Sequence, residues 1–479
     1  MATASLPDTT QPPSVMAALQ QRFGERLQTG ETMRAQHGAM EGMTGGGIPD
    51  AVLFAHSTDD VAAAVAICAA HRFPVIAHGA GSSLEGHLAA VRGGLSIDLT
   101  GMNRVIEVNA GDLDVRVEAG VTREALNAEL RSHGLFFPLD PGANATLGGM
   151  AATRASGTNA VRYGTMREVT LGLTVVTATG EVIRTGTRAR KSAAGYDLTR
   201  LFVGSEGTLG IITELSLRVF GIPEEIASAV VQFGALENAV EAVVLMMQMG
   251  LPLARIELLD AVQMGACIAY SQLSEFATQP TLFMEFHGTP AGVAEQVETV
   301  RTVVTDFGGG ALQFATLTED RNRLWKARHN AWFAAKALRP GAEAFATDAC
   351  VPVSRLAEAI AAAKAQADAA GLIAPLVGHV GDGNFHMLVL FDPTSDDECA
   401  KAHALSESIA RIAIGLGGTA TGEHGIGLHK LAIMEEEHGS GALAIMARVK
   451  HALDPLDILN PGKTVPRSDE PSLMHGVVP

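Results

Sequence analysis

Three glycine-rich loops in the first half of the chain constrain its fold more than any other feature. They are VIAHGAGSSLEGH (75–87), LDPGANATLGGMAATRASGTNAVRYG (139–164) and VGSEGTLGIIT (203–213). The first follows a short β-branched run and packs Gly79, Gly81, Ser82 and Ser83 into one turn. Backbone N–H groups bared by glycine, with hydroxyl donors added, suit a pyrophosphate. It is not the GxGxxG fingerprint, because no acidic residue follows at the usual distance. The second loop is built from Gly, Ala, Ser, Thr and Asn, poor material for a core but able to lie flat against a planar ligand. One such loop is an ordinary turn; three in one region point to a nucleotide-type cofactor.

Around these loops the chain reads as three regions. At 479 residues it exceeds a single core. Residues 1–47 are polar and helix-prone, an N-terminal leader. Residues 48–224 carry short strands broken by glycine turns. From 225 the rhythm changes: IASAVVQF, ARIELLD, TLFMEFHG and ALQFATL read as strands, with helices at ENAVEAVVLMMQMG and AGVAEQVETVRTVVTDFGG. That order is βαβ–βαβ, the ferredoxin-like split unit. Residues 225–430 are expected to form a cap and substrate domain, and 431–479 a C-terminal segment that returns to the cofactor. The net charge of −17 excludes a nucleic-acid role. Four scattered cysteines without a CxxC pair exclude a disulfide scaffold and a thiolate metal centre. The N-terminus lacks signal-peptide order, and no run of 18 apolar residues exists. A cytoplasmic location is expected, with peripheral contact with an inner membrane left open.

HVGDGNFH (379–386) begins and ends on histidine. Asp382-Gly383 reads as a two-residue type I′ turn, which places His379 directly opposite His386. Opposed Cβ atoms lie roughly 4.5–5.5 Å apart. Such a pair can coordinate a metal, grip an anion, or simply sit on the wet face of a hairpin. In LWKARHNAWFA (324–334) helical periodicity brings Trp325, Arg328 and Trp332 to one side. An arginine there can bind a carboxylate bidentately; Arg321 is its nearest rival.

The three loops together resemble the flavin domain of the vanillyl-alcohol-oxidase, or PCMH-type, superfamily. HVGDGNFH, TGEHGIG (421–427) and NPGK (460–463) resemble the signature of the FAD-linked D-2-hydroxyacid dehydrogenases. LWKARHNAWFA and RPGAEAFATDACVPVSRL are similar to the D-lactate dehydrogenase branch. The match runs from about residue 48 to 465. It implies an α+β fold: a PCMH-type FAD-binding domain of two α/β subdomains, a ferredoxin-like cap, and a mainly helical C-terminal segment.

It also implies noncovalent FAD. His78, Gly79, Ala80, Gly81, Ser82 and Ser83 would hold the pyrophosphate, with Gly86 and His87 beside them. Pro141, Asn144, Thr146, Gly148, Gly149, Ala155, Gly157 and Tyr163 would come from the long loop. Glu206, Gly207 and Ile212 would flank the adenosine part, and Asn460 would arrive from the C-terminus. By the same resemblance His379, His386 and Glu423 hold one divalent metal, Zn or Mn among the candidates. His424 is then the base that takes the substrate hydroxyl proton while hydride passes to flavin N5. Two imidazoles and a carboxylate leave open positions, as a catalytic metal requires. Arg328, Trp332, His379, His386 and His424 would contact the substrate. D-lactate is expected first, because Ala346 and Leu388 stand where a dicarboxylate-specific enzyme would carry polar groups. D-2-hydroxyglutarate dehydrogenase and the flavin subunit of glycolate oxidase are the near alternatives. A nucleotide-binding metallohydrolase and a noncatalytic flavoprotein subunit are the distant ones. The electron acceptor would be a quinone, a cytochrome or an electron-transfer flavoprotein, and a homodimer is allowed.

Overall fold

The computed structural model describes residues 14–38, 47–315 and 317–466. The start of the expected leader (1–13), its end (39–46) and the last residues of the C-terminal segment (467–479) lie outside the described residues.

Two larger sheets build the first half, and Leu135–Phe136 pairs with Phe220–Gly221 in a third, two-stranded one. In one, strands Ala51–Phe54, Leu95–Asp98 and Val75–His78 run parallel, with Leu27–Gln28 at the edge. Parallel strands of one sheet require a crossover; helix Thr58–Ala70 makes it from Ala51–Phe54 to Val75–His78, which flank Leu95–Asp98 on either side. Its first turn is capped by Ser57, which accepts from Asp60 N–H. The other sheet is antiparallel, in the order 105–109, 114–118, 211–218, 170–176, 182–184. Both sheets bury their apolar faces in one continuous core that includes Leu53, Ile97, Val117, Leu147, Val175 and Leu215. The chain's end joins it: Val75 N–H donates to Ile458 O at 2.7 Å, and Asn460 N–H donates back to Val75 O at 2.8 Å.

The second half is organised by an eight-stranded sheet. Strands 313–315, 225–232, 281–288 and 253–259 stand in the order 4-1-3-2 of the expected split unit. The sequence pattern did not show helix Ala261–Ser271, which is inserted between the two repeats. Nor did it show that the histidine hairpin, 376–379 and 384–391, continues the same sheet beyond strand 253–259.

Period-two alternation gives this sheet two unlike faces. On one, Ile256, Leu258, Met284, Phe286, Phe385 and Met387 pack on helices Leu236–Gln248, Pro290–Asp306 and Leu356–Ala370. The other carries Glu285, Arg255, Glu257, His379, Asn384 and His386 on adjacent strands. Buried charges cost several kcal/mol unless paired. This face is therefore where ionic partners must be found.

Candidate active site

The hairpin departs from its expected geometry. His379 pairs with Asn384 and Val377 with His386, so the loop is four residues, Val380–Gly383. A type I′ turn needs positive φ at both central residues, but among the four only Gly383 has it, at 79°. A Cβ on Gly383 would stand 2.0 Å from Val351 O, and one on Gly381 2.6 Å from Ile256. Val380, Gly381 and Gly383 are buried while Asp382 is exposed, and the close packing of the two glycines sets the wider turn. His379 and His386 are thus diagonal rather than opposite, still on one face, with ring centroids 5.4 Å apart. The hairpin is not a wet surface: His386 is buried and its strand is buried throughout.

Each ring has one nitrogen committed to the protein. His379 Nδ1 lies 2.7 Å from Glu257 Oε1, and His386 Nδ1 2.8 Å from Thr347 O. Protons on both Nδ1 atoms leave both Nε2 atoms as lone-pair donors. Each Nε2 is 3.3 Å from the same oxygen, Oε1 of Glu423. Its other oxygen accepts from Ser156 Oγ at 2.6 Å. Two ligands about 2.0–2.1 Å from one ion at a near-tetrahedral angle lie roughly 3.3 Å apart. The three side chains therefore fit a divalent metal. Burial opposes a charged His379, yet Glu257 and Glu423 on either side raise its pKa well above the ordinary value, so without a metal Nε2 also carries a proton, which a bound cation would replace.

His424 stacks on His386, with centroids 5.2 Å apart and planes 12° apart. Its Nδ1 faces Glu85 Oε1 at 3.4 Å. Glu85, buried, also meets His429 at 3.5 Å and Lys430 at 3.1 Å. Burial works to lower the His424 pKa, but Asp348 and Glu85 raise it overall.

Asp348 holds these segments in register. Its Oδ2 accepts from Thr421 Oγ1, Glu423 N–H and His424 N–H, and its Oδ1 from Asn384 Nδ2, all at 2.7–2.9 Å. Burial would raise this carboxyl, but His424, Lys430 and His386 hold it far below its usual range.

The metal-type cluster opens onto a cavity of about 1880 Å³. The same cavity is lined by His78, Gly79, Ala80, Gly81, Ser82, Ser83, His87, Pro141, Thr146, Gly148, Gly149, Ala155, Gly157, Glu206, Gly207, Ile212 and Asn460. All three glycine loops thus face one space. A Cβ on Gly79 would come within 2.3 Å of Thr146 Oγ1, so close contact between two of the loops needs glycine. Three expected contacts lie elsewhere. Gly86 backs onto His429, Asn144 Oδ1 accepts from Glu124 N–H, and Tyr163 packs on Phe136 and Phe220 with its hydroxyl on His287. Glu206 does more than flank a ligand: its carboxylate accepts from Ile426 N–H, Gly427 N–H and Thr464 Oγ1.

Arg328 lines the cavity and is buried. Its Nε and Nη2 both reach Glu257 Oε2, at 3.1 and 2.6 Å. One edge of the guanidinium is therefore taken within the chain, and the Nη1/Nη2 edge remains for a ligand. The expected single helix breaks at Asn330, into Thr318–His329 and Ala331–Lys336. Trp332 lines the cavity, whereas Trp325 is buried behind it, donating from Nε1 to Ser228 Oγ at 3.0 Å. Ala346 and Leu388 face each other across paired strands on the same wall. Glu257, Asp348, Glu85 and Ser156 were not anticipated. The signal available for Glu257 was a charged pair, Arg255 and Glu257, alternating with Ile256 and Leu258 in an otherwise apolar strand.

Residues 49–186 match the family described as "FAD binding domain", and residues 222–464 that described as "FAD linked oxidases, C-terminal domain". The chain is 49% identical over 444 residues to "Probable D-lactate dehydrogenase, mitochondrial" of Danio rerio, covering 92% of this chain and 89% of that protein. It is 43% identical to "D-lactate dehydrogenase (cytochrome), mitochondrial" of Arabidopsis thaliana, covering 93% and 77%. Among solved structures, 4-ethylphenol oxidase from Gulosibacter chungangensis superposes with TM-score 0.76 at 20% identity, covering 97% and 99%. p-Cresol methylhydroxylase with substrate bound gives TM-score 0.76 at 17%, covering 94% and 96%. These two establish the PCMH-type fold.

Replacing Asp348 by Asn should cost roughly 3–5 kcal/mol, the scale for buried charge stripped of its partner. The carboxyl is depressed in the fold, so its contribution is complete above the unfolded pKa and lost as pH falls below about 4. Chemical denaturation of both proteins at pH 7 and at acid pH checks this. A loss under about 1 kcal/mol at pH 7 would remove Asp348 from its organising role.

Proposed function

This chain belongs to the FAD-linked D-2-hydroxyacid dehydrogenases, in the D-lactate dehydrogenase branch, and from that membership we propose a metal-assisted oxidation of D-lactate to pyruvate with His424 as base. The observation that supports it most is the convergence of two imidazole Nε2 atoms on one Glu423 oxygen, beside His424 and in the cavity that the glycine loops line.

His379, His386 and Glu423 would hold the metal, and the three glycine loops with Asn460 would hold FAD without a covalent bond. When bound, the ion supplies Lewis acidity to the substrate hydroxyl and the flavin supplies the hydride acceptor. Arg328 offers its Nη1/Nη2 edge to the substrate carboxylate. His424 Nε2 takes the hydroxyl proton, while Glu85 at Nδ1 orients the ring. Trp332, Ala346 and Leu388 line the space for the tail. Arg328 is the only arginine or lysine on the cavity wall among the described residues. A monocarboxylate is served by it, whereas a second buried carboxylate would lose water without gaining a cation. The same lack favours D-lactate over D-2-hydroxyglutarate. Relatives named with "cytochrome" support a cytochrome as the electron acceptor. Their names also carry "mitochondrial", and no helix among the described residues is long and apolar enough to cross a membrane.

His386→Ala should lose the metal but keep its flavin, since the proposed flavin contacts come from the glycine loops and Asn460 rather than from the hairpin. Elemental analysis with flavin absorbance distinguishes the two, and acid precipitation should leave the flavin in the supernatant. Equal metal in both proteins would refute the site.

His424→Ala should keep both groups yet slow anaerobic flavin reduction by roughly 10²–10⁴-fold, the usual loss for a general base. An unchanged rate would move the base to another residue.

Among D-lactate, D-2-hydroxybutyrate, D-2-hydroxyglutarate and L-lactate, the two short D-acids should show the highest kcat/KM. Each buried CH₂ gains about 0.8 kcal/mol. A preference for the dicarboxylate would sink the apolar-tail reading.

A further inference from the structure

Glu257 sits in strand Leu253–Leu259 with no exposed surface. Both of its oxygens are committed, and to different parts of the site. Oε1 meets His379 Nδ1 at 2.7 Å, and Oε2 receives Arg328 Nε and Nη2 at 3.1 and 2.6 Å. Continuing the register Leu258↔Gly378 places Glu257 directly opposite His379 across the strand pair. Two residues on, the same face carries Leu259, which simply fills space. A buried carboxylate is expensive at such a position, so its value has to lie in what it orients.

Given that His379, His386 and Glu423 are the metal ligands, we propose that Glu257 is a positioning residue that ties the metal ligand and the substrate anchor to one carboxylate. At one end it keeps the proton on His379 Nδ1, which leaves Nε2 as the donor and makes the ring a stronger ligand. At the other it grips the Nε/Nη2 edge of Arg328 and turns the remaining edge toward the cavity. The carboxylate is rigid and planar, so it clamps the spacing between hydroxyl activation and carboxylate binding. That spacing suits an acid whose hydroxyl and carboxylate are on adjacent carbons, and it discriminates against 3-hydroxy acids. Arg328 and Glu257 are both buried, so little solvent is present to soften the clamp.

The test uses purified, FAD-loaded enzyme. Glu257→Gln should weaken Zn²⁺ or Mn²⁺ binding, titrated against a chelator, by about 10–100-fold, as loss of an outer carboxylate partner typically does. With metal saturating, KM for D-lactate should rise by a larger factor than kcat falls. The ratio of kcat/KM for D-lactate over D-3-hydroxybutyrate should drop. A purely structural role is separated by Glu257→Gln/Arg328→Met, which leaves no unpaired buried charge. Thermal stability should recover in this double variant while metal binding stays weak. If the single variant does not fold, the double variant carries the test alone. Wild-type metal affinity in either variant overturns the role of Glu257. A wild-type enzyme that binds no metal overturns the metal site itself, a separate failure.

Discussion

The site depends on one buried carboxylate bridging two segments far apart in sequence. Asp348 receives Asn384 from the histidine hairpin on one oxygen, and Thr421, Glu423 and His424 on the other. Backbone N–H groups at 423 and 424 that share one acceptor oxygen leave the loop little freedom. Their side chains are consequently held toward His379 and His386. Hydrogen bonds to a charged acceptor contribute roughly 1.5–3 kcal/mol each and become more directional out of water. Without that anchor, the metal-type ligands would belong to two unconnected loops.

A second carboxylate joins this assembly to the flavin-type domain. Glu206 has a positive φ of 53°, a conformation an L-residue adopts at a cost of about 1–2 kcal/mol. In return its side chain caps Ile426 and Gly427, two and three residues after His424, and its backbone carbonyl accepts from Asn460 Nδ2. Lys463 Nζ, also buried, donates to Ala89 O at 2.6 Å and to Asn460 Oδ1 at 3.1 Å. The first glycine loop, the third loop, the TGEHGIG segment and the chain's end therefore meet at one point. This explains how a cavity between two differently built sheets keeps a defined shape.

The eight-stranded sheet supplies the remaining logic. Its apolar face is glued to helices, so the polar face is presented rigidly, and residues on neighbouring strands become cross-strand partners. Glu285, Arg255, Glu257, His379 and His386 are five charged or titratable groups from four strands on that face. Arg255 is itself paired with Asp140 at 3.2 Å and lies over the Trp325 ring at 4.7 Å. The ionic layer is continuous from the flavin-type domain to the hairpin.

Much of this was readable in the sequence alone. Glycine spacing in three loops, the order of strands and helices from 225 to 317, and the motifs HVGDGNFH and TGEHGIG carried the fold and the residues that gather around the cavity, because those signals are local. Backbone permissiveness and period-two alternation are written within a few residues of one another. The hairpin register was not: the turn widened because Gly381 and Gly383 are pressed against Ile256 and Val351, neighbours distant in the chain. Nor were Asp348, Glu257 and Glu85 legible, since a lone acid in a strand or loop has no periodicity to betray its partner. The family resemblance implied Tyr163 as a cofactor contact, whereas here its hydroxyl meets His287 and its ring packs on Phe220. Sequence determined which residues could perform the chemistry. Tertiary structure alone decided which carboxylate each histidine faces, because burial makes every unpaired charge costly and so selects partners through space.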